Sequence, residues 1–399
     1  MKSFLQFLQR AFKYFLGTKR VWGKPPRADL LIIDRGTASP LDEMFAHHAP
    51  HVLDIRGESI NIRALLRAVP KIRLGALAYI EAYIDLVKPK LILSRTDNNA
   101  TMWQLKRRKN VNYQVALVQN GARAIAFFLD SNISESPNIE AESMNLADKY
   151  FVFGESVGQI LETRVKVKFE YSGSLVLNNL DFRRQREKIV INRESVTNVA
   201  LISTFRSKEA ELNESHKIIY RSLDKFLANT NYSLLIIGNG ISISEKELEL
   251  KYLSSVFLNC KFRLEFFRMG GDSYRHLESN KWIITGQSTL GYESLVANVP
   301  VGFLHPEAAI YDGRDFDATS NLGSSGLFWS RSDDPQEHNR IFTYLDTVSD
   351  EQWERDSGWI RDKLMVYDYG NTKIRAYVEG VLADSLESTQ VENKQKINR

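Results

Sequence analysis

A short segment of the second half, residues 286–293 (GQSTLGYE), has the residue types of an anion-binding turn. An apolar, strand-like run ends just before Gln287, and the pattern predicts a helix directly after Thr289. Backbone N–H groups at the start of a helix, together with the hydroxyl groups of Ser288 and Thr289, can bind a phosphate. Glu293 falls one turn inside the helix, where its carboxylate can accept hydrogen bonds from ribose hydroxyls. The alternative is that Ser288 or Thr289 only caps the helix, with Glu293 completing a capping box.

Polar residues also crowd the ends of three strand-like runs in the first half. A plain turn needs one or two such side chains, whereas the run LILS (91–94) is followed by a charge pair and three small polar residues. In open parallel sheets a ligand binds beyond the carboxyl ends of the strands, so these residues are candidates for a site. The three groups are Arg95-Thr96-Asp97-Asn98-Asn99, Gln119-Asn120-Gly121-Ala122-Arg123, and Ser172-Gly173-Ser174 with Asn178 and Asn179.

Other turns of the second half give weaker indications. Arg206 follows a strand-like run and can bind a phosphate bidentately, or can simply be solvated. Ser273 precedes a short predicted helix, where it can serve as an N-cap. The turn GNG (238–240) is expected to need positive φ angles. His305 follows another predicted strand and precedes a proline.

An alternation of short apolar runs and helical patterns positions these residues. In the first half it extends from DLLIIDRG (29–36) to VKVKFEYSGS (165–174), and in the second from VALISTF (199–205) to VPVGFL (299–304). Such alternation predicts parallel sheets with helices on both faces. A chain of 399 residues is expected to form two such domains. The predicted fold is therefore α/β, with two Rossmann-like domains that face each other across a deep cleft.

Changes in composition predict the boundaries of these domains. Residues 26–180 form the first domain and residues 198–384 the second. The charged segment 181–197 lacks a clear apolar face and is predicted to link them. The polar segment 385–399 is predicted to be a disordered tail.

Residues 1–25 are a separate N-terminal segment, whose first 20 residues form a basic amphipathic pattern. Phe4, Leu5, Leu8, Phe12 and Phe15 recur at helical spacing between lysines and arginines. Charge interrupts the apolar stretch, so the segment cannot span a bilayer. Two alternatives remain open: it lies on an anionic membrane surface, or it packs on the protein or a partner.

Composition excludes several classes of protein. The hydrophobic content of 43% and charged content of 26% are those of a globular protein. A net charge of +4 without a basic stripe argues against nucleic acid. The single cysteine, Cys260, excludes an internal disulfide and lies in an apolar context, which favours a reducing, cytoplasmic location.

Ser288, Thr289, Gly291 and Glu293 resemble the nucleotide-binding turn of glycosyltransferases with the GT-B fold. In that fold the turn meets the phosphate and the helix glutamate meets the ribose, and the resemblance implies the same for these residues. It assigns Gln287, Arg206 and Ser273 to the donor site. His305 with its proline resembles the His-Pro pair with which sialyltransferases grip a CMP phosphate.

The order of several motifs resembles bacterial surface-carbohydrate biosynthesis proteins related to the retaining β-Kdo transferases of O-antigen and capsule assembly. The motifs are TDNN (96–99), VQNGAR (118–123), DKYFVFG (148–154), STLGYE (288–293) and LMVYDYGNT (364–372). The likeness covers roughly residues 90 to 380, and the first ninety residues add little. It implies a CMP-activated Kdo-type donor, a lipid-linked glycan acceptor and no further cofactor.

The resemblance implies retaining transfer, either by a front-face reaction or by double displacement. A double displacement needs a carboxylate near the anomeric carbon, on the face opposite the leaving phosphate. Since the phosphate belongs with the second domain, the nucleophile is expected in the first, and Asp97 is the best-placed acid. Arg95 and Asn98 would orient it, with Asn99 beside them. Asn120 would act with them, and we assign Arg123, Asn99 and Ser174 to the sugar or acceptor. One alternative is an Asx turn at Asp97. Asp54 and Asp34, also at predicted strand ends, are weaker candidates for the nucleophile.

The sequence contains no clear metal site, and Asp315-Phe316-Asp317 lies in a loop rich in Gly, Asp and Ser. A metal-independent GT-B glycosyltransferase is therefore the preferred function. A polyol-phosphate transferase or nucleotide-sugar epimerase on the same fold is an alternative. A non-catalytic partner in polysaccharide assembly is the other.

Overall fold

The structure is a computed structural model. It describes residues 17–99, 101–108, 111–122, 147–162, 167–180, 196–267, 274, 279–286, 288–306 and 322–383. Most of the predicted N-terminal segment (1–16), most of the linker (181–195) and the tail (385–399) lie outside the described residues.

The first half forms a parallel sheet of six strands. The described strands of this half, including two outside that sheet, are β1 (Lys19–Val21), β2 (Leu30–Ile33), β3 (His51–Leu53), β4 (Ser59–Asn61), β5 (Leu91–Ser94), β6 (Gln114–Val118), β7 (Lys149–Val152) and β8 (Lys168–Tyr171). The sheet order is β3-β2-β5-β6-β7-β8, and β1 pairs separately with β4. Every residue of β2 and β5 is buried, as expected for central strands covered on both faces.

Short helices accompany this sheet. They are α1 (Arg35–Ala38), α2 (Leu41–Met44), α3 (Ile62–Ala68), α4 (Ala76–Val87) and α5 (Glu155–Glu162), with 3-10 turns at Ala46–His48, Val69–Leu74, Met102–Gln104 and Leu177–Asn179. The long helical pattern predicted for residues 59–87 is interrupted. Pro70 cannot donate a backbone hydrogen bond, and Gly75 has a φ of 57°, so the chain forms α3, a 3-10 turn and α4 instead of one helix.

The second half forms a second parallel sheet of six strands in the order β11-β10-β9-β12-β13-β14. In the chain these are β9 (Asn198–Ile202), β10 (Ser233–Ile237), β11 (Phe262–Glu265), β12 (Ile283–Thr285), β13 (Val301–Leu304) and β14 (Trp329–Ser330). The helices are α6 (Ala210–Leu227), α7 (Ile243–Val256), α8 (Thr289–Val296), α9 (Pro335–Thr347) and α10 (Asp350–Leu364). The predicted α/β fold with two facing domains is confirmed; β14 is an additional strand that the sequence did not indicate.

The last described helix, α11 (372–383), returns to the first sheet. Its residues Ile374, Val378 and Leu382 pack into one apolar cluster with Leu30 and Leu91. This packing assigns α11 to the core of the first domain, although the sequence placed it in the second. The chain therefore crosses between the domains twice.

A buried amide network joins the two crossings. The Asn178 Nδ2 donates to the Asn371 Oδ1 (3.0 Å), and the Asn371 Nδ2 donates to the Leu175 carbonyl (3.1 Å). The Asn178 Oδ1 accepts from the Asp368 N–H (3.1 Å). Gly173 has a φ of 71°, and a Cβ there would overlap the Val366 carbonyl, so this turn requires glycine. The predicted motifs SGS…NN and VYDYGNT thus meet in space and hold the crossings together.

No helix among the described residues is both long and apolar enough to cross a lipid bilayer.

Candidate functional site

The carboxyl ends of the two sheets face each other across a cleft, which contains a cavity of about 670 Å³. Polar side chains line it from both domains. From the first domain they are Ser39, Glu43, Arg95, Gln119, Asn120, Ser174 and Asn179; from the second they are Ser203, Asn239, Tyr274, Ser288, Thr289 and Glu293. The cavity is where the sequence placed a site, at strand ends of both halves.

Two hydrogen bonds connect the domains across this cavity. The Ser174 hydroxyl donates to the Glu293 Oε1, and the Ala122 N–H donates to the Thr289 Oγ1 at 2.9 Å. Both contacts involve residues of the predicted nucleotide turn or its helix. The domains are therefore held together at the point where a ligand of the cleft would bind.

Glu293 is buried, with 4% of its surface exposed, yet it lines the cavity. Tyr274 donates a second hydrogen bond to the Glu293 Oε1, at 2.7 Å. Burial raises the pKa of Glu293 to about 7, although the hydrogen bonds from Ser174 and Tyr274 and the charge of Arg95 act to lower it. The carboxyl group can therefore exchange a proton near neutral pH, as a general acid or base must.

Ser288 and Thr289, at the start of α8, line the cavity. Ser288 is the N-cap residue of α8, but its side chain makes no capping hydrogen bond. Glu293 bonds to Ser174 and Tyr274, so it does not complete a capping box. This geometry favours the anion-site interpretation of the turn over the capping one. Gly291 has a packing role, because a Cβ there would overlap the Thr285 side chain.

The opposite wall is built from residues of the first domain that bond to one another. The Arg95 Nη1 donates to the Ser39 carbonyl (2.6 Å), and its Nη2 donates to the Asn120 Oδ1 (2.9 Å). Gln119 spans its own turn, since its Nε2 donates to the Gly121 carbonyl (3.0 Å) and its Oε1 accepts from the Phe153 N–H (2.8 Å). These bonds fix the guanidinium of Arg95 and the amide of Asn120 at the cavity surface.

Asp97, the predicted nucleophile, lies behind this wall. It is fully buried and does not line the cavity. Its Oδ2 accepts from the Tyr150 hydroxyl (2.8 Å) and its Oδ1 from the Asn120 N–H (3.3 Å). In this arrangement the carboxylate positions the backbone of Asn120, and only Asn120 reaches the cavity.

A second buried carboxylate, Asp34, supports the same wall. It accepts hydrogen bonds from the Arg56 Nη2 (2.6 Å) and the Thr96 hydroxyl (2.7 Å). Burial acts to raise the pKa of Asp34, but the hydrogen bonds from Arg56 and Thr96 and the charge of Arg56 bring it below its usual value. Asp34 also caps α1 with a φ of 79°. Asp34 and Asp97 therefore both bond to residues of the first domain in this structure, and the catalytic role of Asp97 stays a prediction.

The remaining predicted residues lie around the cavity or outside the description. Asn98 is exposed, and Asn99 accepts a hydrogen bond from the Thr101 N–H (2.9 Å), so it stabilises the following turn. Arg206 is exposed and lines a neighbouring pocket of about 230 Å³. His305 is buried and does not line the cleft cavity. Gln287, Ser273 and Arg123 lie outside the described residues.

The turn at 238–240 needs its two glycines for a different reason from the predicted one. Neither glycine has a positive φ. A Cβ at Gly238 would overlap the ring of Phe266, and one at Gly240 would lie 2.9 Å from the Lys246 backbone nitrogen. The buried carboxylate of Glu249 accepts from the N–H groups of Asn239 (3.0 Å) and Gly240 (2.8 Å). Close packing therefore requires these glycines.

Tyr274 lines the cavity, and sequence reasoning did not propose it as a site residue. It lies next to Ser273, which drew attention as an N-cap, and its hydroxyl bonds to a carboxylate 19 residues further along the chain. No local pattern indicates such a contact. Only its position after a polar turn could have suggested it.

Within the described part of the chain, one group of side chains has the spacing of metal ligands: His47, His48 and Glu379. Both histidine Nε2 atoms lie 2.9 Å from Glu379 oxygens. The three residues join the 3-10 turn after α2 to α11, and none of them lines the cleft cavity.

Two parallel six-stranded sheets facing each other across a cleft make this a GT-B protein, and solved structures have the same architecture. The chain is similar to S. aureus MnaA in complex with UDP (TM-score 0.55, 13% identity, 92% of this chain and 97% of that one). It is similar to UDP-GlcNAc 2-epimerase from Neisseria meningitidis bound to UDP-GlcNAc (0.52, 14%, 88% and 99%). It is also similar to Acinetobacter baumannii MurG (0.51, 13%, 89% and 100%). At these identities the likeness concerns the fold alone.

A match of the sequence to a family model identifies the family of this chain. The chain belongs to the family described as "putative O-antigen biosynthesis protein", whose model matches residues 116–381. The match includes the whole second sheet, the turn before α8, and both crossings between the domains. No curated protein matches the chain.

Proposed function

We propose that this protein is a glycosyltransferase of bacterial surface-polysaccharide biosynthesis that uses a nucleotide-activated sugar. The observation that carries the proposal is the cleft cavity, in which an open helix N-terminus and an acid with a pKa near 7 face fixed polar groups of the opposite domain. A transferase needs a site for the leaving phosphate and a site for an acceptor, both within reach of the reacting carbon.

The second domain supplies the donor side in this proposal. Ser288, Thr289 and the first N–H groups of α8 would bind the donor phosphate, where the helix dipole stabilises the charge that develops on the leaving group. Glu293 would accept hydrogen bonds from the ribose. Arg206 would extend the site from the adjacent pocket, which shares Asn239 with the cleft cavity.

The first domain supplies the acceptor side. Arg95, Asn120 and Ser174 line the cavity opposite the donor turn, and the bonds between Arg95 and Asn120 hold both groups in place. A lipid-linked glycan acceptor fits the membership of the O-antigen biosynthesis family. When the donor is bound, its ribose would replace the Ser174 hydrogen bond to Glu293 and leave the Ser174 hydroxyl for the acceptor.

The finer hypothesis is a CMP-activated Kdo-type donor and retaining transfer through Asp97. The order of motifs supports the donor class. The Asp97 carboxylate does not reach the cavity. It bonds to the Tyr150 hydroxyl and to the backbone N–H of Asn120, whose side chain is the one that lines the cavity. A nucleophilic role therefore requires the Asn120 turn to move, and the geometry favours Asp97 as a positioning residue.

A panel of nucleotides tests the proposal. The unfolding temperature is measured with CMP, CDP, UDP and GDP, since a ligand that binds only the folded state raises it. We expect one nucleotide to stabilise the protein and the Thr289→Val variant to lose that response. A preference for UDP over CMP would exclude the Kdo-type donor but not the transferase, and stabilisation by none of the four would contradict the nucleotide site.

A nucleotide-sugar epimerase is the second candidate, and Glu293 is the observation that favours it. An acid with a pKa near 7, bonded to Tyr274 at the cleft cavity, suits proton transfer to and from a sugar. Incubation with a nucleotide sugar and no acceptor separates the two. An epimerase interconverts the sugar under these conditions, whereas a transferase needs an acceptor glycan before it releases the nucleotide at a comparable rate.

A further inference from the structure

A cluster of exposed apolar side chains lies on the outside of the first domain. Trp22 is 68% exposed, Leu66 is 65% exposed and Val69 is 54% exposed. Single exposed hydrophobic residues are ordinary on protein surfaces, whereas several on one face indicate a binding surface.

Strand pairing brings these residues to one face from two parts of the chain. Strand β1 pairs in parallel with β4, and Val21 is in register with Asn61. The Asn61 Nδ2 donates to the Gly23 carbonyl (2.8 Å), and the Arg63 Nε donates to the Trp22 carbonyl (3.1 Å). Helix α3 follows β4 directly, so its exposed residues continue the surface that Trp22 begins.

The same two segments are strongly basic. Residues 17–28 and 59–71 together contain seven lysines and arginines and no aspartate or glutamate: Lys19, Arg20, Lys24, Arg27, Arg63, Arg67 and Lys71. Lys71 is bonded to Glu81 at 3.3 Å, which offsets one of these charges. The two paired segments thus carry both exposed apolar side chains, Trp22 and Leu66 among them, and an excess of basic side chains.

We propose that this basic–apolar face, formed by Trp22, Leu66 and Val69 with Lys19, Arg20, Lys24, Arg63 and Arg67, docks on an anionic lipid bilayer. Tryptophan is favoured at the boundary between lipid headgroups and acyl chains, and anionic headgroups attract the surrounding lysines and arginines. An anionic bilayer therefore suits both the exposed tryptophan and the surrounding basic side chains. The inference does not depend on the identity of the donor or on the reaction.

Charge argues for the bilayer over the chain's own N-terminal residues as the occupant. Residues 1–16 contain Lys2, Arg10 and Lys13 and no acidic residue. They would add positive charge to a face that is already positive, whereas an anionic bilayer would neutralise both. In sequence the segment leads directly into β1, so both can bind one surface. The sequence analysis left the target of the N-terminal segment open, and the folded face adds a second contact.

The test is co-sedimentation of the full chain with phosphatidylcholine vesicles, with and without phosphatidylglycerol, at low and high salt. We expect binding only with phosphatidylglycerol, weakened by salt. The variant Arg67→Gln should bind about fivefold more weakly, corresponding to about 1 kcal/mol per basic residue. The double variant Trp22→Ala/Leu66→Ala should bind more weakly still, because it removes the insertion of apolar side chains.

The matched control is the Ile241→Ala/Ile243→Ala variant, which removes two side chains that are 84% and 79% exposed on the second domain. It should bind vesicles like the unaltered protein. Circular dichroism and the unfolding temperature establish that each variant is folded.

Three outcomes would overturn the proposal. The first is equal binding to vesicles with and without phosphatidylglycerol, or no binding to either. The second is binding that depends on residues 1–16 and is unaffected by the face variants. The third is a concentration-dependent dimer that the face variants abolish while vesicle binding remains, which would make the face a contact between copies of the chain.

Discussion

The two strand-end edges that face each other across the cleft use their polar groups differently. In the first domain the acids Asp34 and Asp97 and the cations Arg56 and Arg95 bond mainly to groups of that domain. In the second domain the Ser288 side chain, at the start of α8, makes no capping hydrogen bond. One wall is therefore preassembled, and the other is open to a ligand. Fixed dipoles on one side and an open anion site on the other suit transfer from a bound donor.

The largest expected effect tests whether Asp97 belongs to the preassembled wall or to the chemistry. Asp97→Asn places an amide where two donors, the Tyr150 hydroxyl and the Asn120 N–H, now meet a carboxylate. We expect a loss of about 1–3 kcal/mol in the free energy of unfolding. Turnover should fall about 100-fold, because a displaced Asn120 misaligns the cavity. Denaturant unfolding and a turnover assay on the same preparation measure both.

Tyr150→Phe is the control for that comparison. It keeps the carboxylate and removes one of its donors. For a positioning residue, the two variants should lower turnover and stability together. Full turnover in Tyr150→Phe, alongside a complete loss in Asp97→Asn with intact nucleotide binding, would establish Asp97 as the nucleophile.

The second prediction concerns Glu293, which joins the two walls. Its pKa in the folded protein, about 7, is above the usual value of 4.5. The stability associated with its protonated form is therefore complete below about pH 4.5 and is lost as the pH rises through 7. The shift corresponds to on the order of 3 kcal/mol. Urea unfolding at pH 5 and pH 8 should show this loss in the unaltered protein and not in Glu293→Gln.

Asp224→Asn is the control for the pH dependence. Burial acts to raise the pKa of Asp224, but hydrogen bonds from the backbone of Asn259, Cys260 and Leu258 bring it below its usual value. Its contribution is lost only as the pH falls below the usual range of a carboxyl group. The variant should be less stable at both pH values and keep the difference between them. If Glu293→Gln kept that difference as well, the assignment to Glu293 would be wrong.

Sequence reasoning located the cleft because apolar strands followed by small polar residues are a local pattern. Arg95, Asn120, Ser174, Ser288, Thr289 and Glu293 all line the cavity, as their positions after strands or at a helix start suggested. The parallel sheets followed from the alternation of elements in the same way. These features depend on residues that are neighbours in the chain.

What could not be predicted depends on side-chain direction and on distant partners. Asp97 is two residues from Arg95, but the turn directs its carboxylate to Tyr150, 53 residues away. Ser174 and Glu293 are 119 residues apart, and Asn178 and Asn371 are 193 apart. The return of α11 to the first sheet is of the same kind. No periodicity encodes such pairs, since each depends on how distant parts of the chain pack together.

The third prediction disturbs the open wall through its packing. In Gly291→Ala the new Cβ would overlap the Thr285 side chain, so α8 must move away from β12. We expect about 1–3 kcal/mol of destabilisation, as is usual for overpacking, and weaker nucleotide binding because the start of α8 moves with the helix. The control is Gly358→Ala in α10, where the nearest atom would be 3.8 Å away. That change should stabilise the protein by about 0.5–1 kcal/mol. If Gly291→Ala bound the nucleotide as tightly as the unaltered protein, the start of α8 would not be part of the nucleotide site.

The smallest expected effect compares two helix starts of the second domain. Ser242 caps α7 with a complete capping box, in which its side chain and that of Glu245 satisfy two backbone groups. Ser288 begins α8 without any side-chain cap. Ser242→Ala should therefore cost about 1 kcal/mol in the free energy of unfolding and leave nucleotide binding unchanged. Ser288→Ala should leave stability nearly unchanged and weaken nucleotide binding several-fold, about 1 kcal/mol for one lost hydrogen bond. Chemical denaturation and nucleotide titration of both variants measure the four values. If Ser288→Ala lost stability but kept its affinity for the nucleotide, Ser288 would be an ordinary helix cap.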